Sequence, residues 1–165
     1  QIVVEPKYYE LWNFSDGLAW FYDGKHYGFI DLTGKTIFET NYDFVGDFSN
    51  EYAVVKIRDY EFSYIDKSGK LVSLSKLKPI VDKKGNTEHP SFMLAATFRE
   101  GFARVMVNGK WGIIDTNFEF FIDPIFDFVS DFRDGFAYLW KNDKLEIINR
   151  KKEIIWTYYF EDKWN

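Results

Sequence analysis

Cysteine is absent from the 165 residues, which removes disulfide frameworks, thiolate metal sites and cysteine nucleophiles together. Histidine is nearly absent too. His26 and His89 are the only two, and each sits beside turn residues without a second imidazole nearby, so a zinc site or a catalytic triad has little to be built from. Positive charge is in deficit: 21 Lys and Arg stand against 26 Asp and Glu, scattered among one another, for a net charge of −5. Such a chain has no electrostatic footprint for a nucleic-acid backbone or an anionic bilayer, and nucleic acid is excluded as a partner. No apolar run approaches the roughly 18 residues of a transmembrane helix. The glycines fall singly, in neither the Walker nor the dinucleotide pattern, so no nucleotide cofactor, and no cofactor of any kind, is expected. Because the chain opens on Gln1 and not on Met, a leader or an upstream domain is compatible with it, and its compartment is not legible.

Aromatic residues are abundant, at 21% with 18 Phe, 11 Tyr and 6 Trp, whereas Pro numbers only 4. Bulky planar side chains favour half-buried strands, which points to an all-β chain. The stronger signal is repetition. "FSDGLA" (14–19), "FSNEYA" (48–53), "FREGFA" (98–103) and "FRDGFA" (132–137) are four copies of one start signal; Phe14 to Phe48 and Phe98 to Phe132 are each 34 residues, and Phe48 to Phe98 is 50. One unit therefore carries an insertion, placed near 71–90. Aligned without a gap, 14–47 and 98–131 share Phe14, Gly17, Ala19, Gly28, Ile30, Asp31, Asp43, Phe44, Val45 and Asp47 with their counterparts 84 positions on. The domain expectation is a single repeat domain over 1–165, with a leading half unit (1–13) and units 14–47, 48–97, 98–131 and 132–165.

Strand side chains alternate between faces with period two. After each start signal one face holds Ala19 and Phe21, Ala53 and Val55, Ala103 and Val105, Ala137 and Leu139, all apolar. The opposite face holds Trp20 and Tyr22, Val54 and Lys56, Arg104 and Met106, Tyr138 and Trp140, which have nothing in common. Asp23-Gly24 and Asn108-Gly109 read as tight reversals whose two central residues need positive φ. On the return strand, the glycine of "YGFID" (27–31) and "WGIID" (111–115) predicts close approach of another backbone or ring, with Trp111 covering the junction between units. Asp31, Asp66, Asp82 and Asp115 close these strands; an Asp there accepts hydrogen bonds from backbone two residues on. Turn capping accounts for them better than calcium, since EF-hand spacing is missing.

These copies resemble the bacterial WG-repeat family, whose units run from an aromatic through Gly and Ala to a short strand, Lys-Trp-Gly, an apolar pair and Asp. "GKWG" (109–112) matches in full, Tyr27-Gly28 is a close variant, and Phe62-Ser63 and Leu145-Glu146 depart from it. The resemblance implies a β-rich scaffold of generic role. Each unit offers about three short strands and cannot bury its apolar face alone, so units must stack. The expected fold is all-β, tandem antiparallel hairpin or meander repeats stacked as an open curved array, with a small β-propeller as the alternative.

The functional expectation is a non-enzymatic binding or scaffold module that recognises a protein or peptide. Its candidate surface is the face that differs between repeats: Trp20, Tyr22, Lys56, Arg104, Met106, Tyr138 and Trp140, types enriched at recognition surfaces. The competing reading of this face is structural, aromatics covering a second layer. Two rival functions stay open: a carbohydrate or cell-envelope binder with Trp20, Tyr22, Tyr138 and Trp140 as stacking platforms, and an acidic inhibitor or immunity-like protein set against a basic partner. The insertion is a second candidate, its competing reading being an extra hairpin at one edge.

Overall fold

The computed structural model describes residues 8–74, 77, 79–81, 87, 88 and 90–160. The fold is all-β and contains no helix among these residues. Sheet 1 is a meander of β1 (Glu10–Leu11), β2 (Leu18–Tyr22), β3 (Tyr27–Asp31) and β4 (Thr36–Thr40). Sheet 2 holds β5 (Phe44–Val45), β6 (Tyr52–Arg58) and β7 (Glu61–Asp66). The insertion contributes an antiparallel pair, β8 (Ile80–Val81) and β9 (Thr87–Glu88); the turn signal expected at Asp82 to Gly85, and His89, lie outside the described residues. Sheet 3 runs β10 (Leu94–Ala95), β11 (Phe102–Val107), β12 (Lys110–Asp115) and β13 (Phe120–Phe126). Sheet 4 runs β14 (Phe128–Val129), β15 (Phe136–Lys141), β16 (Lys144–Asn149) and β17 (Ile154–Tyr159). Sheets 1 and 2 fall in one compact unit, Gln1–Ser73, and sheets 3 and 4 in another, Leu74–Asn165.

A repeat of the sequence and a sheet of the fold are out of phase. Each main sheet begins with a two-residue strand drawn from just before the start signal, for example β5 ahead of Phe48 and β14 ahead of Phe132. Sheets 1, 3 and 4 therefore hold one strand more than the three read from each unit. The start signal itself is a two-residue hairpin turn. Its flanks exchange both backbone hydrogen bonds, Ser15 with Leu18, Ser49 with Tyr52, Arg99 with Phe102 and Arg133 with Phe136. The two residues between have positive φ in every copy: Asp16 and Gly17, Asn50 and Glu51, Glu100 and Gly101, Asp134 and Gly135. That is the primed geometry whose twist matches paired strands, and it explains why acids, Asn and Gly fill these places.

Two other turn readings separate. Asn108 and Gly109 form the expected tight reversal, with φ of 51° and 75°. At Asp23-Gly24 only Gly24 has positive φ. There the chain makes a four-residue loop between the Tyr22–Tyr27 pair, and Asp23 caps it by accepting from the backbone N–H groups of Lys25 and His26 at 2.8 and 2.7 Å. The extra residues Lys25 and His26 remove any need for a primed pair.

The capping role read for the strand-end acids appears in four equivalent turns. Asp31 Oδ1 accepts from the N–H of Thr33 and Lys35, Asp66 Oδ1 from Ser68 and Lys70, Asp115 Oδ1 from Asn117 and Glu119, and Asn149 Oδ1 from Lys151 and Glu153. The fourth residue of each turn is left-handed: Gly34, Gly69, Phe118 and Lys152.

Packing follows one rule in both units. The face of sheet 1 bearing Phe29, Trp20, Tyr27 and Phe38 lies on Val45, Phe48, Ala53, Val55 and Ile65 of sheet 2. In the other unit the same face of sheet 3, with Ile113, Phe102, Trp111 and Ile122, lies on Val129, Phe132, Ala137, Leu139 and Ile148 of sheet 4. Thus the alanine face of each later sheet is core, as its uniform apolar character implies. Start-signal Phe48, Phe98 and Phe132 are buried; Phe48 meets Phe29 edge-on at 4.8 Å, and Phe132 meets Phe102 at 4.5 Å. Phe14, the first copy, is 40% exposed.

Both reasons anticipated for the Trp-Gly glycine occur, backbone in both sheets and a ring at Gly28. A Cβ on Gly112 would stand 2.6 Å from the Ile122 carbonyl oxygen and 2.9 Å from Pro124 N, because β13 bulges between its Trp111–Phe126 and Ile113–Ile122 pairs. A Cβ on Gly28 would stand 2.4 Å from the Phe21 ring. Beside Gly112, Trp111 packs into the core between sheets 3 and 4.

Candidate functional site

The face treated as variable has two fates. In sheet 1 Trp20 is absorbed: it packs against the core between sheets 1 and 2, and its ring acts on the Asp47 carboxyl, favouring the charged form. Arg104, 84 positions on, plays the matching part, with Nε 3.0 Å from Asp131 Oδ1 and the guanidinium over the Trp111 ring at 5.4 Å. Both side chains tie the second strand of one sheet to the acid that precedes the next start signal. Lys56 is occupied by Asp59 at 2.8 Å. Met106 is half-buried, opposite Leu94 on one side and Trp111 on the other. Tyr22 stacks obliquely on Tyr27 at 4.9 Å and lines a polar cleft of about 450 Å³ with His26, Tyr42 and Asp43.

Tyr138 and Trp140 are different. They are 48% and 43% exposed, on the face of sheet 4 that no other described sheet covers. Register places their neighbours. Phe128, Trp140, Leu145 and Tyr158 form one row across the four strands, and Tyr138, Ile147 and Trp156 form the next. Trp140 stacks on Phe160 at 5.3 Å, and Trp156 lies parallel to Tyr158 at 5.7 Å.

At the start-signal end of this face is a cleft of about 690 Å³. Phe136, Tyr138 and Ile147 help form its apolar part, while Arg104, Asp131 and Arg133 supply charge. Asp131 is held by Arg104 and by Arg99 Nε at 3.4 Å. Arg104 and Tyr138 thus meet at one site; Trp20, Tyr22, Lys56 and Met106 do not join them. Sequence reasoning missed Phe136, Ile147 and Trp156. The available signal was their place, 34 positions beyond Phe102, Ile113 and Ile122, three residues that the following sheet covers.

Carboxylates fasten the edges of the sheets. Glu100 accepts from the backbone N–H of Asp134 and Gly135 at 2.8 and 3.0 Å and from Arg150 Nη2 at 2.5 Å. The Arg150 guanidinium, with those two N–H groups, holds its carboxyl below the ordinary value. In the first unit Asp16 accepts likewise from the N–H of Glu51 at 3.0 Å. At the opposite end of the strands Asp127 takes Lys110 and the Asn142 N–H, which lower its pKa in that order. Asp47 is the exception: burial pushes its carboxyl up, the Trp20 ring only partly opposing, and its Oδ1 is buried without a hydrogen bond. Among the described residues no three His, Asp or Glu side chains gather as a metal site would require, and no helix is long and apolar enough to cross a membrane.

The fold is similar to that of solved proteins. Hsv2 from Kluyveromyces marxianus superposes with a TM-score of 0.56 at 12% identity, over 94% of this chain and 53% of that one. Hsv2p from Kluyveromyces lactis gives 0.54 at 13% identity, over 94% and 52%. The chain spans about half the length of these structures. The WD40 domain of Neurospora crassa Pan2 is a more distant likeness, with a TM-score of 0.46 at 10% identity over 93% and 52%. No curated protein matches the sequence. Repeats of the kind described as WG containing repeat match residues 1–25, 27–60, 92–111 and 111–144, more than half of the chain, and with the four turn-and-meander sheets they show that it belongs to the WG containing repeat family.

Proposed function

We propose that this chain is a non-catalytic binding module that recognises a protein through the uncovered face of sheet 4. One observation carries the reading. Phe128, Phe136, Tyr138, Trp140, Trp156 and Tyr158, all on that face, are 41–48% exposed, where the corresponding face of sheet 3 is core. Aromatics contribute about 150–250 Å² each when buried, so roughly 500 Å² of apolar surface is left to solvent, the size of patch that marks an interaction site. The Arg104–Asp131 pair and Arg133 border it with both signs of charge, as in a polar rim around an aromatic centre. Repeat scaffolds of this fold present such surfaces to protein partners.

The test is site-specific photo-crosslinking in extract of the organism that makes the protein. A crosslinker at Tyr138 is expected to give discrete protein adducts that one at Leu32, 65% exposed on a hairpin tip of the other unit, does not. Adducts sensitive to glycosidases would favour the carbohydrate reading instead, and identical patterns at both positions would end the proposal.

A further inference from the structure

We infer that the partner surface of sheet 4 is the alanine face of a further WG-repeat sheet, one that a second copy of this chain does not supply. This rests on the reading of the face as a docking surface and specifies what docks there. Two interfaces already in the molecule define the chemistry. In each unit the variable face of the first sheet receives the alanine face of the second. What arrives is the same both times: Val45 and Val129, Phe48 and Phe132, Ala53 and Ala137, Val55 and Leu139. What receives it also corresponds, Leu18 with Phe102, Tyr27 with Trp111, Phe29 with Ile113 and Phe38 with Ile122, each 84 positions apart.

Sheet 4 repeats that receiving pattern 34 positions on: Phe136, Leu145, Ile147 and Trp156 stand where Phe102, Trp111, Ile113 and Ile122 stand in sheet 3. The Ile113–Ile122 pairing recurs as Ile147–Trp156; the row beside it closes on Phe126 across a bulge in sheet 3 and on Tyr158 without one in sheet 4, where Phe160 stacks on Trp140. Exposure distinguishes the two faces: Ile122 is half-buried and Trp156 is 47% exposed. A flat, ridge-bearing aromatic face needs a partner with small residues at its centre to approach to the roughly 10 Å spacing of packed sheets. The Ala-x-aliphatic strand supplies that, and its start-signal Phe fills the space beside Phe136 as Phe132 does beside Phe102. Tyr138 occupies the position from which Trp20 and Arg104 reach Asp47 and Asp131, so the arriving sheet should bring an acceptor ahead of its own start signal.

The experiment extends the full chain by one further copy of residues 98–131, appended after Asn165 so that the copied Phe98 falls in phase with Phe132. Hydroxyl-radical footprinting then reads side-chain exposure by mass. Labelling of Tyr138, Trp140 and Trp156 is expected to drop severalfold, with Tyr60, 77% exposed in the other unit, as the unchanged reference. When the appended copy carries Ala103→Glu and Val105→Glu, protection is expected to vanish. Protection that survives those substitutions, or an appended repeat that leaves labelling unaltered whether or not it adds β-sheet circular dichroism, would overturn the inference. So would self-association of the unextended chain abolished by Tyr138→Glu, which would assign the face to a second copy. Crosslinking at Tyr138 that succeeds while the extension fails would remove only this inference; failure of both would remove the docking surface itself.

Discussion

Gly112 and Gly101 show how differently one residue type is used. Gly101 has a φ of 86° with nothing within 4 Å of where a Cβ would be, so Gly101→Ala meets only backbone strain, about 1–2 kcal/mol. Gly112→Ala drives a methyl into the backbone of β13, whose Ile122 oxygen would lie at 2.6 Å. Backbone cannot rotate aside, and overpacking of this kind costs about 1–3 kcal/mol or more. Denaturant unfolding should rank Gly112→Ala as the more damaging of the two. Glu146 stands at the equivalent place in sheet 4 and is tolerated, although only 9% exposed, because there the register is unbroken opposite Thr157 and Lys144 neutralises it. Asp47 makes the converse point about charge. Its raised pKa means the folded state prefers the neutral acid, so its contribution favours folding below the unfolded pKa and is lost as pH rises through the folded one. Asp47→Asn keeps an acceptor for Trp20 and removes that loss; the thermal midpoint at pH 7 should be unchanged or higher. A marked fall would show that the charge is stabilising.

At the scale of the hairpin, a side-chain acceptor at the strand end organises each return turn. Asp115 Oδ1 satisfies two backbone N–H groups, and at about 0.5–1.5 kcal/mol per hydrogen bond Asp115→Ala should cost about 1–3 kcal/mol, or a few degrees in thermal midpoint for a chain of this size. Asn149→Ala should behave alike, since its contacts are the same. Much of this was legible: Asp, Asn and Gly are informative because few residues accept those dihedrals, and the alternation of Ala with aliphatic residues marks a face that must be buried. Phe118 was not legible. It takes the left-handed place held by Gly34 and Gly69, yet is only 3% exposed and meets Phe98 edge-on at 5.8 Å; burial of its ring outweighs a strained φ, and local turn rules contain no such term. The two-residue first strands were equally hidden, because Phe44–Val45 and Phe128–Val129 are too short for alternation to register. The two fates of the variable face were not separable for a related reason. Trp20 and Arg104 are each matched to a particular neighbour, Asp47 and Asp131, and variation that follows packing looks, in a single sequence, like variation that follows recognition.

Over the whole molecule the same acids recur at the same structural positions, so their protonation acts collectively. The carboxyls of Asp23, Asp31, Asp66, Glu100 and Asp127 are all held below their ordinary values of 3.8 for Asp and 4.5 for Glu. Backbone N–H groups lead for Asp23, the Thr33 and Ser68 hydroxyls for Asp31 and Asp66, Arg150 for Glu100 and Lys110 for Asp127. A depressed acid contributes stability that is fully present above its unfolded pKa and lost as pH falls through its folded one. Asp47 runs the other way, but it is one group against six, since the Lys56 ammonium holds Asp59 down as well. The thermal midpoint should therefore hold above about pH 5 and fall as the solution is acidified through and below the ordinary carboxylate range, despite the relief of a net charge of −5. Because these groups are largely exposed, salt should weaken the ion-paired members, Glu100 and Asp127, more than the turn caps, whose partners are neutral backbone and hydroxyl groups. Glu100→Gln separates the two classes. It keeps one acceptor for the Asp134 and Gly135 turn but loses the pairing with Arg150, so its midpoint should lie below that of the parent at pH 7, converge with it as acid protonates Glu100 below the ordinary carboxylate range, and respond less to added salt. A gap between parent and variant that stays constant throughout acidification would mean that Glu100 works through shape and not through charge.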